Sequence, residues 1–172
     1  MKQKLVLIAV GFLVFTGLKA QRSKSFESSD YKTALGIKLY PGTGGGAVTY
    51  KDFLTRDRAI EALGSVWERG TRATGLYEFH FDIPSVEGLK WYVGPGVHFS
   101  IYNDRNYAGS FRNGYDRGYA AFGIDGVIGA DYKFSRIPLN LSADWQPAVE
   151  FGSNRYNGFG GDFGGIAARY TF

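Results

Sequence analysis

Apolar and polar residues alternate with a period of two along most of the chain, in stretches of strand length. The segment GLKWYVGPGVHFSIY (88–102) shows this best: from Leu89 to Ile101 every second residue is apolar or proline, and the residues between are polar, small or tyrosine. Successive side chains of a strand point to opposite faces, so this period predicts strands with one apolar and one polar face. The 25 glycines, 14 Phe, 12 Tyr and 3 Trp also favour strands and turns over helices.

Eight such segments divide the chain after residue 30. The third segment also has helical propensity in DRAIEAL, so a short helix is the alternative there. The second segment leaves open which of its two faces points outward. Pro95 and Pro147 fall inside segments, where proline cannot donate to the ladder, and a bulge or kink is expected at each. We predict strands at about residues 31–40, 46–54, 59–68, 73–83, 88–102, 119–134, 138–151 and 163–172.

An even number of strands with both ends on one side is the arrangement of a closed up-and-down barrel. The three connections on the side of the ends are short: TRDR, PSVEG and SRIP. The opposite side carries the two long connections and two short ones: NDRNYAGSFRNGYDRG, GSNRYNGFGGD, PGTGG and ERGTR. Short turns on one side and long loops on the other are typical of transmembrane barrels. The predicted fold is therefore all-β, an eight-stranded antiparallel up-and-down transmembrane β-barrel, with a soluble, secreted lipocalin-like barrel as the alternative.

The beginning of the chain has the layout of a secretory signal peptide, with two lysines, an apolar run over Leu5–Leu18 and then Ala20. The run is shorter than the ~20 residues that a membrane-spanning helix needs. We predict residues 1–20 as the signal peptide and residues 21–172 as the outer-membrane barrel domain. Its removal lowers Lys+Arg from 20 to 17 against 16 Asp+Glu, so the net charge falls from +4 to +1. That balance argues against nucleic-acid binding, and without cysteine the chain has neither a disulfide framework nor a lipidated cysteine.

The chain resembles the small outer-membrane β-barrel proteins of Gram-negative bacteria, of the outer membrane protein X and OmpA-barrel type, in GLYEFHF, LKWYVGPGVH, IDGVIGADYKF, IPLNLSADWQP and RYTF. The resemblance spans Tyr31–Phe172. It implies a monomer in the cell outer membrane, in contact with outer-membrane lipid and inserted by the barrel-assembly machinery. It also implies that the aromatic residues Tyr170 and Phe172 serve as the assembly signal. It brings no catalytic residue, and we predict no cofactor and no metal ion.

The polar faces of the predicted strands carry acidic and basic residues. In a narrow barrel these side chains point into the lumen, where a low dielectric requires that charges be paired. Two interpretations remain open, a charge-paired plug that fills the barrel and the polar pathway of a small pore. The candidate luminal charge network consists of Lys38, Glu61, Glu78, Lys90, Asp125, Asp131, Lys133, Asp144, Glu150 and Arg169.

The longest connection combines arginine with aromatic residues, which recognition surfaces favour. The residues that would recognise an extracellular ligand or surface partner are Arg105, Tyr107, Phe111, Arg112, Tyr115 and Arg117. A protruding hairpin with aromatic residues at the membrane interface is the plainer interpretation. The Asn and Asp residues of the two long loops lack the ligand spacing of a calcium site.

Two further motifs are candidates for catalysis or nucleotide binding. His98 and Ser100 have the His-x-Ser spacing of lipid A deacylase barrels, but they lie in the fifth strand and on its luminal face, away from lipid. PGTGGGA (41–47) loosely matches a glycine-rich nucleotide fingerprint, but a strand follows where a helix is needed. We therefore predict a non-enzymatic protein with a structural or surface-interaction role. A lipid-modifying enzyme and a small pore are the alternatives.

Overall fold

The structure is a computed structural model that describes residues 31–68, 70–102, 119–151, 158–161 and 163–172. No helix among these residues is long and apolar enough to cross a membrane. Ten antiparallel strands form: β1 (Thr33–Tyr40), β2 (Gly45–Thr55), β3 (Arg58–Trp67), β4 (Gly70–Asp82), β5 (Leu89–Tyr102), β6 (Tyr119–Lys133), β7 (Leu139–Trp145), β8 (Ala148–Phe151), β9 (Gly158–Gly160) and β10 (Gly164–Thr171). Because β3 is a strand, the short helix considered for that segment is wrong.

These strands close into a barrel. β1 to β6 pair in chain order, β6 pairs with both β7 and β8, and β10 pairs with β7 and with β1. β7 and β8 keep one register against β6, since Ile128 faces Trp145 and Asp125 faces Ala148. They are therefore two halves of the seventh barrel strand, and β9 and β10 together supply the eighth. The predicted eight-stranded antiparallel up-and-down barrel fold is confirmed.

Pro147 separates β7 from β8, as the missing N–H of proline predicts. The Gly126 N–H donates to the carbonyl oxygen of Pro147 at 2.8 Å, which holds the interrupted strand against β6. On the side that faces the eighth strand, Trp145 pairs with Gly164 and Ala148 pairs with Gly160. Between these two pairs the seventh strand advances by three residues and the eighth by four. The extra residue is a bulge in the eighth strand, so the predicted irregularity occurs beside Pro147.

Pro95 behaves differently, because the register of β5 is continuous across it. Its pairing with β6 includes Pro95 itself, opposite Gly126. On the β4 side the pairing runs as far as Leu76–Gly96 and resumes at Phe79–Val93 in the same register. Two ladder pairs are left out and no residue is inserted, so of the bulge or kink expected at Pro95 the bulge is wrong.

The two faces of each strand follow the alternation of the sequence. The open register of β2 is resolved, with Val48 exposed on the outside and Thr49, Lys51 and Phe53 buried on the inside. In β3, Glu61 points inward between exposed apolar positions. The exposed face of the barrel is thus apolar and its buried face is polar, the reverse of a soluble protein. The largest fully buried side chains include Arg169, Tyr92, Lys38, Lys51, Glu61 and Glu78.

Strand glycines fall into two steric classes. On the luminal face, a Cβ atom added at Gly94 would overlap the carbonyl oxygen of Tyr77, and one added at Gly36 would overlap that of Ala168. On the outer face, a Cβ atom added at Gly64 or Gly75 would meet no atom within 4 Å. The luminal glycines therefore allow neighbouring backbones to approach, whereas the outward pair has no such steric requirement.

We expect Gly94→Ala to lower the free energy of unfolding by ~1–3 kcal/mol, because the added methyl group overpacks the strand pair. Gly64→Ala is the matched control and should leave stability unchanged or raise it by up to ~1 kcal/mol, since Gly weakens a strand interior. Urea unfolding of the barrel refolded in detergent micelles measures both variants. Equal stability of the two variants would contradict the steric assignment.

Candidate functional site

The inward faces of the strands bring polar side chains together at different depths of the barrel. We call the end with Tyr31 and Phe172 the terminus end and the opposite end the loop end. Between them lie a buried pair, Lys38 with Asp144, and two larger groups. The central network comprises Lys51, Glu61, Glu78, Asp131 and Arg169; the mouth cluster, at the loop end, comprises Arg72, His98, Ser100, Tyr102, Asp125 and Glu150.

Arg169, on β10, spreads its guanidinium over three other strands. Nη2 donates to Glu61 Oε1 at 2.5 Å, and Nε donates to Thr49 Oγ1 at 3.1 Å. Nη1 donates to Asn140 Oδ1 at 3.1 Å and to Ser142 Oγ at 2.7 Å. The planar guanidinium has donors that point in several fixed directions, so one buried charge can reach all of these acceptors at once. Arg169 thereby ties the last barrel strand to β2, β3 and β7.

Lys51, on β2, has three carboxylates around its ammonium group. Its Nζ lies 2.8 Å from Glu78 Oε2, 3.3 Å from Glu61 Oε2 and 3.4 Å from Asp131 Oδ2. The same Nζ lies 4.4 Å from the ring centroid of Tyr92, within the range of a cation–π contact. The positive charge of Lys51 is therefore shared among three carboxylates, and Lys51 Nζ donates a hydrogen bond to Asp131 Oδ2.

The central network is completed toward the terminus end by neutral donors and a histidine. Asp131 accepts from the Asn140 amide at 2.6 Å and from the Tyr31 hydroxyl at 3.1 Å. His80 Nε2 lies 2.8 Å from Glu78 Oε2. Buried carboxylates are stable only when hydrogen-bonded in this manner, so these neutral partners belong to the network as much as its cations do.

Lys38 and Asp144 form a separate buried pair. Lys38 Nζ lies 2.6 Å from Asp144 Oδ2, and neither side chain is exposed. The Tyr92 hydroxyl donates to the same oxygen at 2.6 Å. The two charges balance each other, and the tyrosine satisfies a further lone pair of the carboxylate.

An apolar layer separates the central network from the mouth cluster. On β3, Leu63 occupies the inward position next to Glu61 on the loop side, and on β4 Leu76 does the same next to Glu78. These leucines pack in one buried cluster with Tyr40, Ala47, Tyr92 and Val127. The described lumen is therefore filled by alternating polar and apolar layers.

In the mouth cluster, Glu150 accepts hydrogen bonds from three side chains on two strands, β4 and β5. Its Oε1 lies 2.5 Å from Arg72 Nη2, 2.6 Å from the Tyr102 hydroxyl and 3.1 Å from His98 Nε2. The other ring nitrogen of His98, Nδ1, lies 2.7 Å from Asp125 Oδ2. Because ionised carboxylates only accept, a ring between two of them must donate from both nitrogens. This geometry assigns His98 as an imidazolium.

Aromatic rings cover the mouth cluster on the loop side. The Arg72 guanidinium carbon lies 3.9 Å from the ring centroid of Phe163 and 5.8 Å from that of Trp67. Trp67 and Phe163 meet edge to face with their centroids 5.8 Å apart. Arg72 is thus held by a carboxylate on one side and by π faces on another, which fixes the charge at the mouth.

The His98–Ser100 pair does not assemble a nucleophile. Ser100 Oγ accepts from Arg72 Nε at 3.0 Å and lies 3.4 Å from Glu150 Oε1. His98 Nε2 faces Glu150, and no hydrogen bond among the described residues joins it to Ser100. Activation of a serine needs that bond. Both side chains are buried inside the barrel, so the geometry is that of a hydrogen-bond network.

The candidate charge network identified from the sequence divides into luminal and rim residues. Lys90 lies at the terminus end, 3.3 Å from the exposed Asp82. Lys133 donates to the carbonyl oxygens of Phe134 and Ile137, in the turn after β6. The structure brings the other eight into the groups described above: Lys38, Glu61, Glu78, Asp125, Asp131, Asp144, Glu150 and Arg169.

Two luminal cations were missed from the sequence, Lys51 and Arg72. Lys51 lies in the segment whose register was left open, although a charged residue indicates an inward face in a membrane barrel. Arg72 precedes residue 73, where the fourth strand was predicted to begin, but β4 starts at Gly70. Counting back in twos from Glu78 reaches Arg72, so the alternation contained the signal.

Three other expectations concern the ends and connections. The predicted signal peptide and the recognition residues of the 103–118 connection lie outside the described residues. The glycine-rich 41–47 segment is a hairpin turn, in which Tyr40 O accepts from the Gly44 N–H at 2.9 Å and Gly44 has a φ of 67°. Tyr170 and Phe172 are exposed on the outer surface with ring centroids 5.9 Å apart; their role as an assembly signal stays a prediction.

Among the described residues, no group of three or more histidine or acidic side chains is arranged to hold a metal ion. No protein-family model matches the chain, and no curated protein sequence matches it. Its structure is similar to the crystal structure of the N-terminal β-barrel domain of Pseudomonas aeruginosa OprF, with a TM-score of 0.55 and 19% sequence identity over 81% of this chain and 95% of that domain. This likeness agrees with the barrel architecture, and the narrower resemblance to outer membrane protein X stays a prediction.

We expect Lys38→Met to lower the free energy of unfolding by ~3–5 kcal/mol, because it leaves the buried Asp144 carboxylate without its cation. The double variant Lys38→Met/Asp144→Asn should recover most of that loss, since an amide can still accept from Tyr92. Urea unfolding in micelles measures both. Lys32→Met is the control, because Lys32 is partly exposed at 3.7 Å from Asp52 and should contribute less than ~1 kcal/mol. A double variant no more stable than the single one would contradict the assignment.

Proposed function

We propose that the chain is an integral outer-membrane β-barrel protein, non-enzymatic, with a structural or surface-interaction role. The supporting observation is the distribution of side chains. Exposed outward positions of β5 carry Trp91, Val93, Val97 and Phe99, while its inward positions carry buried polar groups. In water, exposed apolar side chains make no hydrophobic contribution to folding. In a bilayer, the outer face contacts hydrocarbon and the polar groups bond with one another inside the barrel.

The apolar belt surrounds the barrel. Apolar patches on soluble monomers rarely exceed roughly a few hundred Å². An apolar belt that includes residues of every barrel strand covers a much larger area. Strand length also fits, because ~9–11 tilted residues cross a bilayer and β2, β4 and β5 have 11, 13 and 14 residues. The belt includes Leu35, Ile37, Val48, Ile60, Val66, Phe79, Phe81, Ile101, Phe122, Ile124, Ile128, Trp145, Val149, Ile166 and Tyr170.

Localisation and partners follow from this proposal. The signal peptide expected at residues 1–20 would deliver the chain across the inner membrane, and the outer membrane is where such barrels are assembled. Outer-membrane lipid would cover the belt, and the barrel-assembly machinery would insert a monomer. The fold shared with the OprF barrel domain supports this localisation.

The lumen favours a structural or surface role over a pore. Between its two polar groups the barrel is filled by the apolar layer around Leu63 and Leu76, and the charges on either side are paired. An enzyme that modifies lipid is also less well supported, since Ser100 bonds with Arg72 and Glu150 inside the barrel. What remains available for interaction is the loop end.

The connection between β5 and β6 is the best-supported interaction element. The two strands pair without a gap from Leu89–Tyr132 to Tyr102–Tyr119, so the residues that flank the 103–118 connection are paired with each other at the loop end. Arginine and aromatic side chains are favoured at recognition surfaces. The arginine and aromatic residues of this connection are therefore the proposed contacts for an extracellular ligand or surface partner.

Ile124→Arg tests membrane integration. Ile124 is exposed near the middle of β6, so an arginine there should reduce the stability of the lipid-embedded barrel by ~2–4 kcal/mol. Ser135→Arg, in an exposed turn, is the control and should have little effect. Urea unfolding in lipid vesicles gives both values. If Ile124→Arg is harmless and the protein stays soluble without detergent, the membrane proposal is wrong.

Replacing residues 105–117 by a short Gly-Ser turn tests the interaction surface. Insertion should be intact, because the paired strands end outside the replaced segment, and any binding through the loop should be abolished. Heat-modifiable gel migration reports insertion, and adsorption of proteoliposomes to an immobilised anionic polysaccharide reports binding. A matched replacement of the exposed 84–87 turn at the terminus end should alter neither. Unchanged adsorption after the loop replacement would remove the loop from the proposal.

A further inference from the structure

The central network holds more carboxylates than cations. Glu61, Glu78 and Asp131 share the lumen with Lys51 and Arg169, and none of the five side chains is more than 2% exposed. If all three carboxylates were ionised, one negative charge would be left over in a low-dielectric interior. An uncompensated buried charge is among the most costly features a fold can contain, and in practice such a group takes up a proton instead.

Cations outside the network have carboxylate partners of their own, among them Lys90, whose Nζ lies 3.3 Å from Asp82 Oδ1. Lys51 already shares its charge among three carboxylates, and Arg169 donates to Glu61 and to neutral acceptors. Lys38, on the neighbouring strand, is paired with Asp144. The titratable and charged groups that surround Glu78 are Lys51, Glu61, His80, Tyr92, Asp131 and Arg169, together with Tyr31.

Glu61 and Glu78 lie on adjacent strands, and their carboxyl groups both contact Lys51 Nζ, at 3.3 Å and 2.8 Å, which brings them within hydrogen-bonding reach of each other. One oxygen of each has no hydrogen-bond partner among the described residues: Glu78 Oε1, and Glu61 Oε2, whose contact with Lys51 Nζ at 3.3 Å is an ion pair without hydrogen-bond geometry. Two ionised carboxylates are acceptors only and repel one another, whereas a carboxyl group donates one O–H···O bond to a carboxylate. A single proton between these side chains therefore supplies the missing bond and removes the excess charge.

The surroundings decide which of the two carries the proton. Glu61 Oε1 accepts from Arg169 at 2.5 Å and from the Thr49 hydroxyl at 2.5 Å, which favours its ionised form. Glu78 contacts the Lys51 ammonium group, which it shares with two other carboxylates, and His80 Nε2. We propose that Glu78 is protonated in the folded barrel and donates to Glu61, so that the centre of the lumen is a proton-binding site.

His80 is the competing position for this proton, and its packing argues against it. Its ring lies face to face with Tyr92 at 5.0 Å and beside Phe53 at 4.7 Å. Its Nδ1 is buried without a hydrogen-bond partner among the described residues. An imidazolium requires an acceptor at both nitrogens, so a neutral His80 that donates from Nε2 to Glu78 fits the site.

Protonation of Glu78 makes each polar group of the lumen neutral on its own. The mouth cluster has two carboxylates, Asp125 and Glu150, against Arg72 and the His98 imidazolium. Lys38 and Asp144 cancel each other. The central network reaches the same balance only with one added proton, and separate balance is needed because the apolar layer keeps the groups apart.

Infrared spectroscopy of the refolded barrel in lipid vesicles at neutral pH tests the site. We expect the C=O stretch of a protonated carboxyl group in the parent protein and its loss in Glu78→Gln. Glu150→Gln, at the mouth, is the control and should keep the band. The amide of Glu78→Gln can donate to Glu61 as the carboxyl does, so the urea midpoint should be unchanged or higher. Glu61→Gln should lower the midpoint, because Arg169 loses its counter-charge.

Other results would overturn the proposal. A parent protein without the band, or a band that survives Glu78→Gln, excludes a protonated Glu78. A band that appears only when choline replaces sodium in the buffer indicates a monovalent cation site instead. Imidazolium signals from His80 in nitrogen NMR would place the proton on the ring. If Glu78→Gln does not fold, the carboxyl carbon shift of labelled Glu78 in the parent protein gives the same decision.

Discussion

Pairing of charges inside a low-dielectric lumen is the constraint on which the rest of the structure depends. Because side chains alternate between the two faces of a strand, an outward apolar face places the polar face inside the barrel. Arg169, Lys51 and Lys38 are then removed from water, and only close carboxylates can offset the lost hydration. The side-chain pairs across the lumen are therefore a condition of the fold and not an addition to it.

Much of the fold follows from the sequence for this reason. A period of two specifies which residues share a face, and a charge on one face specifies that this face is the inside. The β3 segment shows the strength of the rule, because the inward Glu61 outweighs the helical propensity of its neighbours. The rule holds through Pro95, but it does not specify whether that proline inserts a residue or only omits ladder pairs, because this depends on the neighbouring strand.

The partners within the lumen could not be predicted in the same way. Lys38 and Asp144 are 106 residues apart, and Glu61 and Arg169 are 108 apart. Alternation states that these side chains point inward but not at which depth, because depth is set by the stagger of strands around the whole barrel. Arg72 illustrates another limit, because the sequence pattern predicts the ends of strands less well than their centres. Its role in the mouth cluster depends on β4 beginning at Gly70.

The placement of Arg169 links closure of the barrel to burial of its charges. Arg169 lies on β10, which closes the barrel by pairing with β1, and its guanidinium contacts Glu61 and Thr49 on strands from the other end of the chain. Before closure these groups have water as their partner, and afterwards they have only one another. Desolvation of the central network and docking of the last strand therefore stabilise each other, because each alone leaves a buried charge or an open edge. From the same coupling we expect the eight strands to assemble in an all-or-none manner.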